Sequence, residues 1–167
     1  MTPLIINGIE LPIHVGIASM RYEIVGGSST RRLHNGRAIK QTHYRKLAIS
    51  ISGSGWMPSG LAALDVSVPV DLWCFQPRSM FVTALTVSVP TDIRPDSEPW
   101  VLGYVGGEWV PVASSTAGRV VTITQHPSAT QYVVYWLPRL TVLLDDIPED
   151  LDTTTATYTW QITGQEA

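Results

Sequence analysis

The amino-acid sequence predicts a mainly β protein: a small β-sandwich or split barrel with a long β-hairpin arm and a small inserted β lobe. Three observations lead there. Apolar residues recur with a period of two in segment after segment, as in strands that bury one face. The breaks between segments hold Asn-Gly and Gly-Gly pairs, the residues that two-residue hairpins require. No window of ten or more residues shows a clean 3.6-residue apolar period bounded by caps.

Each element follows from local pattern. Leu4-Ile5-Ile6 and Ile9-Glu10-Leu11 flank Asn7-Gly8 and read as a first hairpin. In 19–25, Met20, Tyr22 and Ile24 alternate with Arg21 and Glu23. Gly26-Gly27-Ser28-Ser29-Thr30 is flexible by composition, and Asn35-Gly36 then joins residues 32–34 to 37–39. Residues 26–46 therefore read as a long mobile arm. Leu47, Ile49 and Ile51 share one face of the next strand, and Ser52-Gly53-Ser54-Gly55-Trp56 reads as a tight bend. A short helical turn capped by Ser59 is expected at 59–65. Val66, Val68, Val70, Leu72 and Cys74 share a face, as do Phe81, Leu85, Val87 and Val89. The Pro-rich acidic stretch 91–99 marks the edge of an inserted lobe. Strands are expected in that lobe at 100–105, 109–113, 119–124 and 131–137, with Gly106-Gly107 turning between the first two. The chain returns to the main sheet at 141–164, with strands expected at 140–144 and 153–163. In the latter, Thr154, Ala156, Tyr158, Trp160 and Ile162 oppose a row of threonines. The expected organisation is a ring-forming core of 1–95 with 141–167, and a lobe at 96–140.

Composition narrows the function classes. A chain of 167 residues fits one domain with or without an inserted lobe, and is long enough to fold without a disulfide or metal. With 44% apolar and 15% charged residues it is not of disordered type. The single cysteine, Cys74, excludes an intramolecular disulfide framework and a four-cysteine zinc site. No run approaches the roughly 18 apolar residues of a membrane helix, and the first residues lack the basic and small-residue pattern of a leader. The expectation is synthesis in the cytosol, with no membrane partner. A net charge of −3 opposes general affinity for nucleic acid.

That charge is unevenly spread. Residues 21–46 carry Arg21, Arg31, Arg32, Arg37, Lys40, Arg45 and Lys46, opposed only by Glu23. Residues 145–152 carry Asp145, Asp146, Glu149, Asp150 and Asp152. Either these are two solvated segments, or they are complementary patches through which identical subunits dock and fix register.

No constellation for catalysis is present. His14, His34, His43 and His126 lack the i, i+2 or i, i+4 spacing of paired metal ligands. Cys74 sits between Trp73 and Phe75 on an apolar face, where a thiolate is disfavoured. No nucleophile elbow, P-loop or dinucleotide fingerprint occurs. The expectation is a protein without enzymatic activity, cofactor or metal. Of the six tryptophans, Trp56, Trp73, Trp100, Trp109, Trp136 and Trp160, three fall in the lobe. Trp100, Trp109 and Trp136 either pack its core, or present a platform for sugar rings, or anchor a protein interface.

Several stretches together carry a resemblance. Asn35-Gly36 precedes Tyr44-Arg45-Lys46-Leu47, then the run Ile49-Ser50-Ile51-Ser52-Gly53-Ser54-Gly55-Trp56-Met57-Pro58-Ser59-Gly60-Leu61 and Leu64-Asp65. Val70-Asp71-Leu72-Trp73-Cys74 follows, and the chain closes on Tyr158-Thr159-Trp160-Gln161-Ile162-Thr163-Gly164. This order resembles tail-tip and baseplate proteins of long-tailed bacteriophages, above all the ring-forming distal tail type and its tail-tube relatives. It covers about residues 1–90 and 141–164. The resemblance implies a structural virion protein at the tail tip, assembled in the bacterial cytoplasm as a ring around the tail channel, commonly a hexamer. It also implies other tail proteins as partners. Two alternatives accompany it: a carbohydrate-binding module that attaches to host glycans, and a neck or tail-terminator protein of the same β family.

Overall fold

Period-two patterning turns directly into burial. In the computed structural model, which describes residues 2–16 and 18–167, Leu47, Ile49 and Ile51 are buried, Ala48 and Ser50 between them are half-buried, and Ser52 and Ser54 on the same side as these are exposed. Pro138, Leu140, Val142 and Leu144 alternate in the same way with Arg139, Thr141 and Leu143. The protein is mainly β, built from antiparallel sheets that do not close into a barrel, and is sandwich-like in character.

The strands in chain order are β1 (Ile5–Ile6), β2 (Ile9–Glu10), β3 (Ser19–Val25), β4 (Ser28–Arg32), β5 (Ala38–Thr42), β6 (Lys46–Gly55), β7 (Val70–Trp73), β8 (Arg78–Val82) and β9 (Thr86–Ser88). They continue as β10 (Asp92–Ile93), β11 (Trp100–Val105), β12 (Glu108–Val112), β13 (Ser114–Ala117), β14 (Val120–Ile123), β15 (Tyr132–Trp136), β16 (Pro138–Leu144), β17 (Glu149–Asp152) and β18 (Thr157–Glu166). A 3-10 turn at Ile13–Val15 is the helical element among the described residues.

The chain divides into two compact units, Met1–Glu10 with Asp71–Leu140, and Leu11–Val70 with Thr141–Ala167. The expected organisation placed the break at 95/96, at the edge of the Pro-rich stretch. That stretch is not a linker: Thr91, Arg94 and Pro99 are buried in it, and Arg94 is held on every side. The observed boundaries fall instead after Glu10, within β7 between Val70 and Asp71, and within β16 between Leu140 and Thr141.

In the first unit, a four-stranded sheet in the order β12-β11-β15-β8 and a three-stranded sheet β13-β14-β9 enclose one core. Val121 and Ile123 of β14 pack there with Val89, Val101, Tyr132, Val134 and Trp136. Gly106 and Gly107 both have positive φ (59° and 96°), as the tight β11–β12 turn requires. Residues 81–89 do not form the single strand expected. They split between β8 and β9 in different sheets, and the phase of the pattern changes across the turn. Met80 and Val82 pack on the core, while Phe81 is 71% exposed.

In the second unit, β18 pairs along its length with β6, and β6 pairs in turn with β3. β18 also carries β17 beside its first half and the end of β16 beside its last residues. Residues 52–55 are not a bend but the end of β6, and the chain bends only from Trp56. Its glycines serve close approach. Gly53 lies directly opposite Trp160, and a Cβ at Gly53 would collide with the indole. The indole Nε1–H donates to Val15 O at 2.9 Å. A Cβ at Gly55 would likewise strike the backbone of His14 and Val15. Gly53→Ala is therefore expected to cost about 1–3 kcal/mol through overpacking. Urea denaturation checks this, and an unchanged midpoint would show that the indole moves aside freely.

Three further expectations need correction. Residues 59–65 form no helix: Leu61 O accepts from Leu64 N in a turn, with Ser59 Oγ accepting from Leu61 N. Val66 lies in a turn and Val68 is exposed, because Asp65 captures Ser67 through both its N–H and its hydroxyl before β7 begins. Likewise residues 153–156 form a turn with Ala156 at φ 50°, so the last strand starts at Thr157.

Candidate functional site

The pairing of β3 with β6 continues beyond the sheet as a ribbon. Val25 pairs with Lys46, His43 N donates to Gly27 O at 2.7 Å, and Ser28 pairs with Thr42. Between these points two residues, Gly26 and Gly27, oppose three, His43 to Arg45, which is a bulge. The glycines are required here, since a Cβ at Gly26 would meet Tyr44 O and one at Gly27 would lie 2.8 Å from the Tyr44 ring. Beyond the bulge, β4 and β5 form a two-stranded sheet of their own. At its tip Leu33 O accepts from Gly36 N at 2.8 Å, Gly36 takes φ 81°, and Asn35 Oδ1 accepts from Arg37 N.

All of β5 and all of β4 except Ser29 are exposed. A hairpin with no third strand is only marginally stable alone in water. Register sorts its side chains. Thr30 and Arg32 share a face with Lys40 and Ala38, while Arg31 lies with Ile39 on the other. Leu33, Ile39 and Tyr44 are exposed apolar side chains beside these cations. Among the described residues, Arg31, Arg32, Arg37, Lys40 and Arg45 make no ion pair within the chain. Arg32 donates to Gly36 O, and Lys46 Nζ donates to Ala167 O at 2.6 Å.

The acidic residues 145–152 are expected either as a solvated segment or as a docking patch. The structure makes part of them a strand: β17 pairs antiparallel with β18, Asp150 opposite Thr159, and all four of its residues are exposed. Glu149 accepts from the Ser59 hydroxyl and backbone N–H. Asp145 accepts from Thr163 Oγ1 at 2.9 Å. Asp152 accepts from Thr154 N and Thr155 Oγ1, and these bonds, that from the Thr154 backbone foremost, hold its carboxyl below the ordinary value. Asp150 lines an open cleft of about 440 Å³ with Ser19, Ser52, Ser54, Thr159 and Gln161. Of the groups singled out from the sequence, Arg31, Arg32, Arg37 and Lys40 sit on the free hairpin and Glu149, Asp150 and Asp152 on a strand at a sheet edge, whereas Arg45 lies in the bulge, Lys46 opens β6, and Asp145 and Asp146 lie in the connection before β17. The structure does not pair one with the other inside the chain.

The lobe tryptophans separate. Trp136 is 1% exposed, and its Nε1–H donates to the buried Thr91 Oγ1 at 2.8 Å. It packs the core and belongs to no platform. Trp100 and Trp109 lie on the opposite, outer face of the four-stranded sheet. Trp100 stacks on Tyr135 at 5.5 Å between centroids and 5° between planes. Trp109 contacts Tyr104 at 5.0 Å and Phe81 at 6.0 Å. By register this outer face also carries Leu102, Pro111 and Val133, and no charged side chain of these strands. Sequence reading missed Phe81, Tyr104 and Tyr135. Their alternation with the core residues Met80, Gly103 and Val134 was the available signal.

Among the described residues, no group of three His, Cys, Asp or Glu side chains converges as metal ligands do. No protein-family model matches the chain. No curated protein matches it at a significant level.

Proposed function

We propose that this chain is a structural virion protein of a long-tailed phage tail tip, self-assembling as a ring, hexameric in the resembling family, that joins the tail tube to tip or receptor-binding proteins. The observation that supports this most is the arm: a projecting cationic hairpin with exposed apolar side chains and no third strand. Such an element gains stability when a neighbour supplies what its own chain does not. A ring needs two different patches on each subunit, and an arm with a separate acceptor provides them. Deleting residues 28–42 and joining the ends with glycines is expected to leave a folded monomer that no longer assembles. Light scattering and negative-stain microscopy of the two proteins test this, and normal rings from the deletion would refute it. Assembly is also expected to weaken between 0.1 M and 1 M salt, as the screening length falls from about 10 Å to about 3 Å.

A second reading is favoured by one specific observation, the uncharged aromatic outer face of the four-stranded sheet. Exposed rings there suit stacking against sugar rings in host attachment. In this reading Phe81, Tyr104 and Trp109 form one cluster, and Trp100 with Tyr135 another. Glycan binding that survives Phe81→Ala, Trp109→Ala and Trp100→Ala together would remove it.

A further inference from the structure

We propose that the acceptor for the arm is the open edge of β17 on a second copy of the chain, with a cation of the arm seated in the cleft beside Asp150. This rests on the self-assembling reading above and names the surface that reading needs. Three observations converge on it. First, among the described residues β17 pairs with β18 alone, so its other edge presents unpaired backbone N–H and C=O groups. Such an edge is a template for strand addition. Second, the charges are complementary. Three of the four residues of β17 are acidic, and no ion pair within the described chain offsets them. The arm brings Arg32 and Lys40 on one face and Arg31 on the other, equally without ion pairs.

Third, the cleft has the chemistry of a cation seat. Asp150 is its one carboxylate, on the same face of the sheet as Thr159, Ser54, Ser52 and Gln161 by register. Ser19 Oγ and Ser52 Oγ hydrogen-bond each other at 2.8 Å in its floor. Hydroxyl and amide oxygens around one carboxylate accept the several N–H bonds of a guanidinium or ammonium group. Glu149 and Asp152 are already engaged within the chain, by Ser59 and by the following threonines. Asp150 is the acid of β17 left facing the cleft. The second copy is chosen as occupant because the complementary strand and its cations lie in the same sequence.

The test compares association of the full chain by light scattering across a concentration series, for the unaltered protein, Asp150→Arg, Arg32→Asp with Lys40→Asp, and all three changes together. Each reversal alone is expected to weaken self-association at least tenfold, and the combined variant is expected to recover part of it. Circular dichroism confirms that every variant is folded. If Asp150→Arg assembles like the unaltered protein while deletion of 28–42 does not assemble, the acceptor is wrong and self-assembly through the arm stands. If the unaltered protein stays monomeric at every concentration, both the acceptor and the self-assembling reading fall.

Discussion

Asp96→Ala is expected to destabilise the first unit by about 3 kcal/mol, the lower end of the range for stripping the partner from a buried charge. The Arg94 side chain is fully buried. Its Nε and one terminal nitrogen donate to the two Asp96 oxygens at 2.7 Å each, and its other terminal nitrogen donates to Pro3 O at 2.7 Å and Cys74 O at 3.1 Å. The guanidinium also lies 5.6 Å from the centre of the Trp73 ring. Without Asp96 the cation stays buried with carbonyls alone. The expected loss is at the lower end because the Asp96 side chain is 43% exposed, so water can reach the vacated site. Urea denaturation gives the value, and Asp96→Asn, which keeps an acceptor, is expected to lose less.

The same pair sets a pH dependence. Hydrogen bonds from Arg94 hold the Asp96 carboxyl below its ordinary value of 3.8. At Asp71 burial acts upward, but hydrogen bonds from Arg139 and Trp73 and the Arg139 charge outweigh it, so that carboxyl too is lowered. A carboxyl whose folded pKa lies below its unfolded value stabilises the fold above the unfolded value. That contribution is lost as pH falls through the folded pKa. Stability is therefore expected to fall on acidification below about pH 4, with a shallower fall in Asp96→Ala.

Much of the fold was legible because it is written in single strands. Alternation in 46–52 and 19–25, and the Asn-Gly and Gly-Gly pairs, act over a few residues, and the structure places β6, β3 and three hairpins there. What was not legible depends on partners distant in sequence. Nothing local distinguishes Gly53 in a strand from Gly53 in a bend. The distinction is made by Trp160, more than a hundred residues away, which needs the missing side chain. Arg94 read only as part of a Pro-rich acidic stretch at a lobe edge, since its burial depends on the carbonyls of Pro3 and Cys74. Period-two spacing puts Phe81 on one face with Leu85, Val87 and Val89, whereas the break between β8 and β9 leaves Met80 and Val82 inward and Phe81 out. The candidate site divides in the same way. The arm was visible from composition and a turn signal. The conversion of 149–152 from an acidic run into an exposed edge strand depends on pairing with β18.

Trp136→Ala is expected to be the most damaging single change in the lobe, at about 3–5 kcal/mol. The side chain is among the largest fully buried ones, within a cluster drawn from both sheets of the first unit. Truncation removes its apolar contacts, opens a cavity that the rigid strands around it fill poorly, and leaves the buried Thr91 hydroxyl without its donor. Trp136→Phe retains most of the volume and isolates the hydrogen bond, so a cost of about 1–2 kcal/mol is expected. The comparison with Trp109→Ala then separates packing from recognition. Trp109 is partly exposed and touches Tyr104 and Phe81 at the surface, so its loss is expected to leave the unfolding midpoint nearly unchanged. If glycan binding disappears in Trp109→Ala at intact stability, the outer aromatic face is the binding surface. If it disappears only in Trp136→Ala, together with the fold, and survives both Trp109→Ala and Trp100→Ala, neither outer cluster carries it and the sugar-binding reading falls.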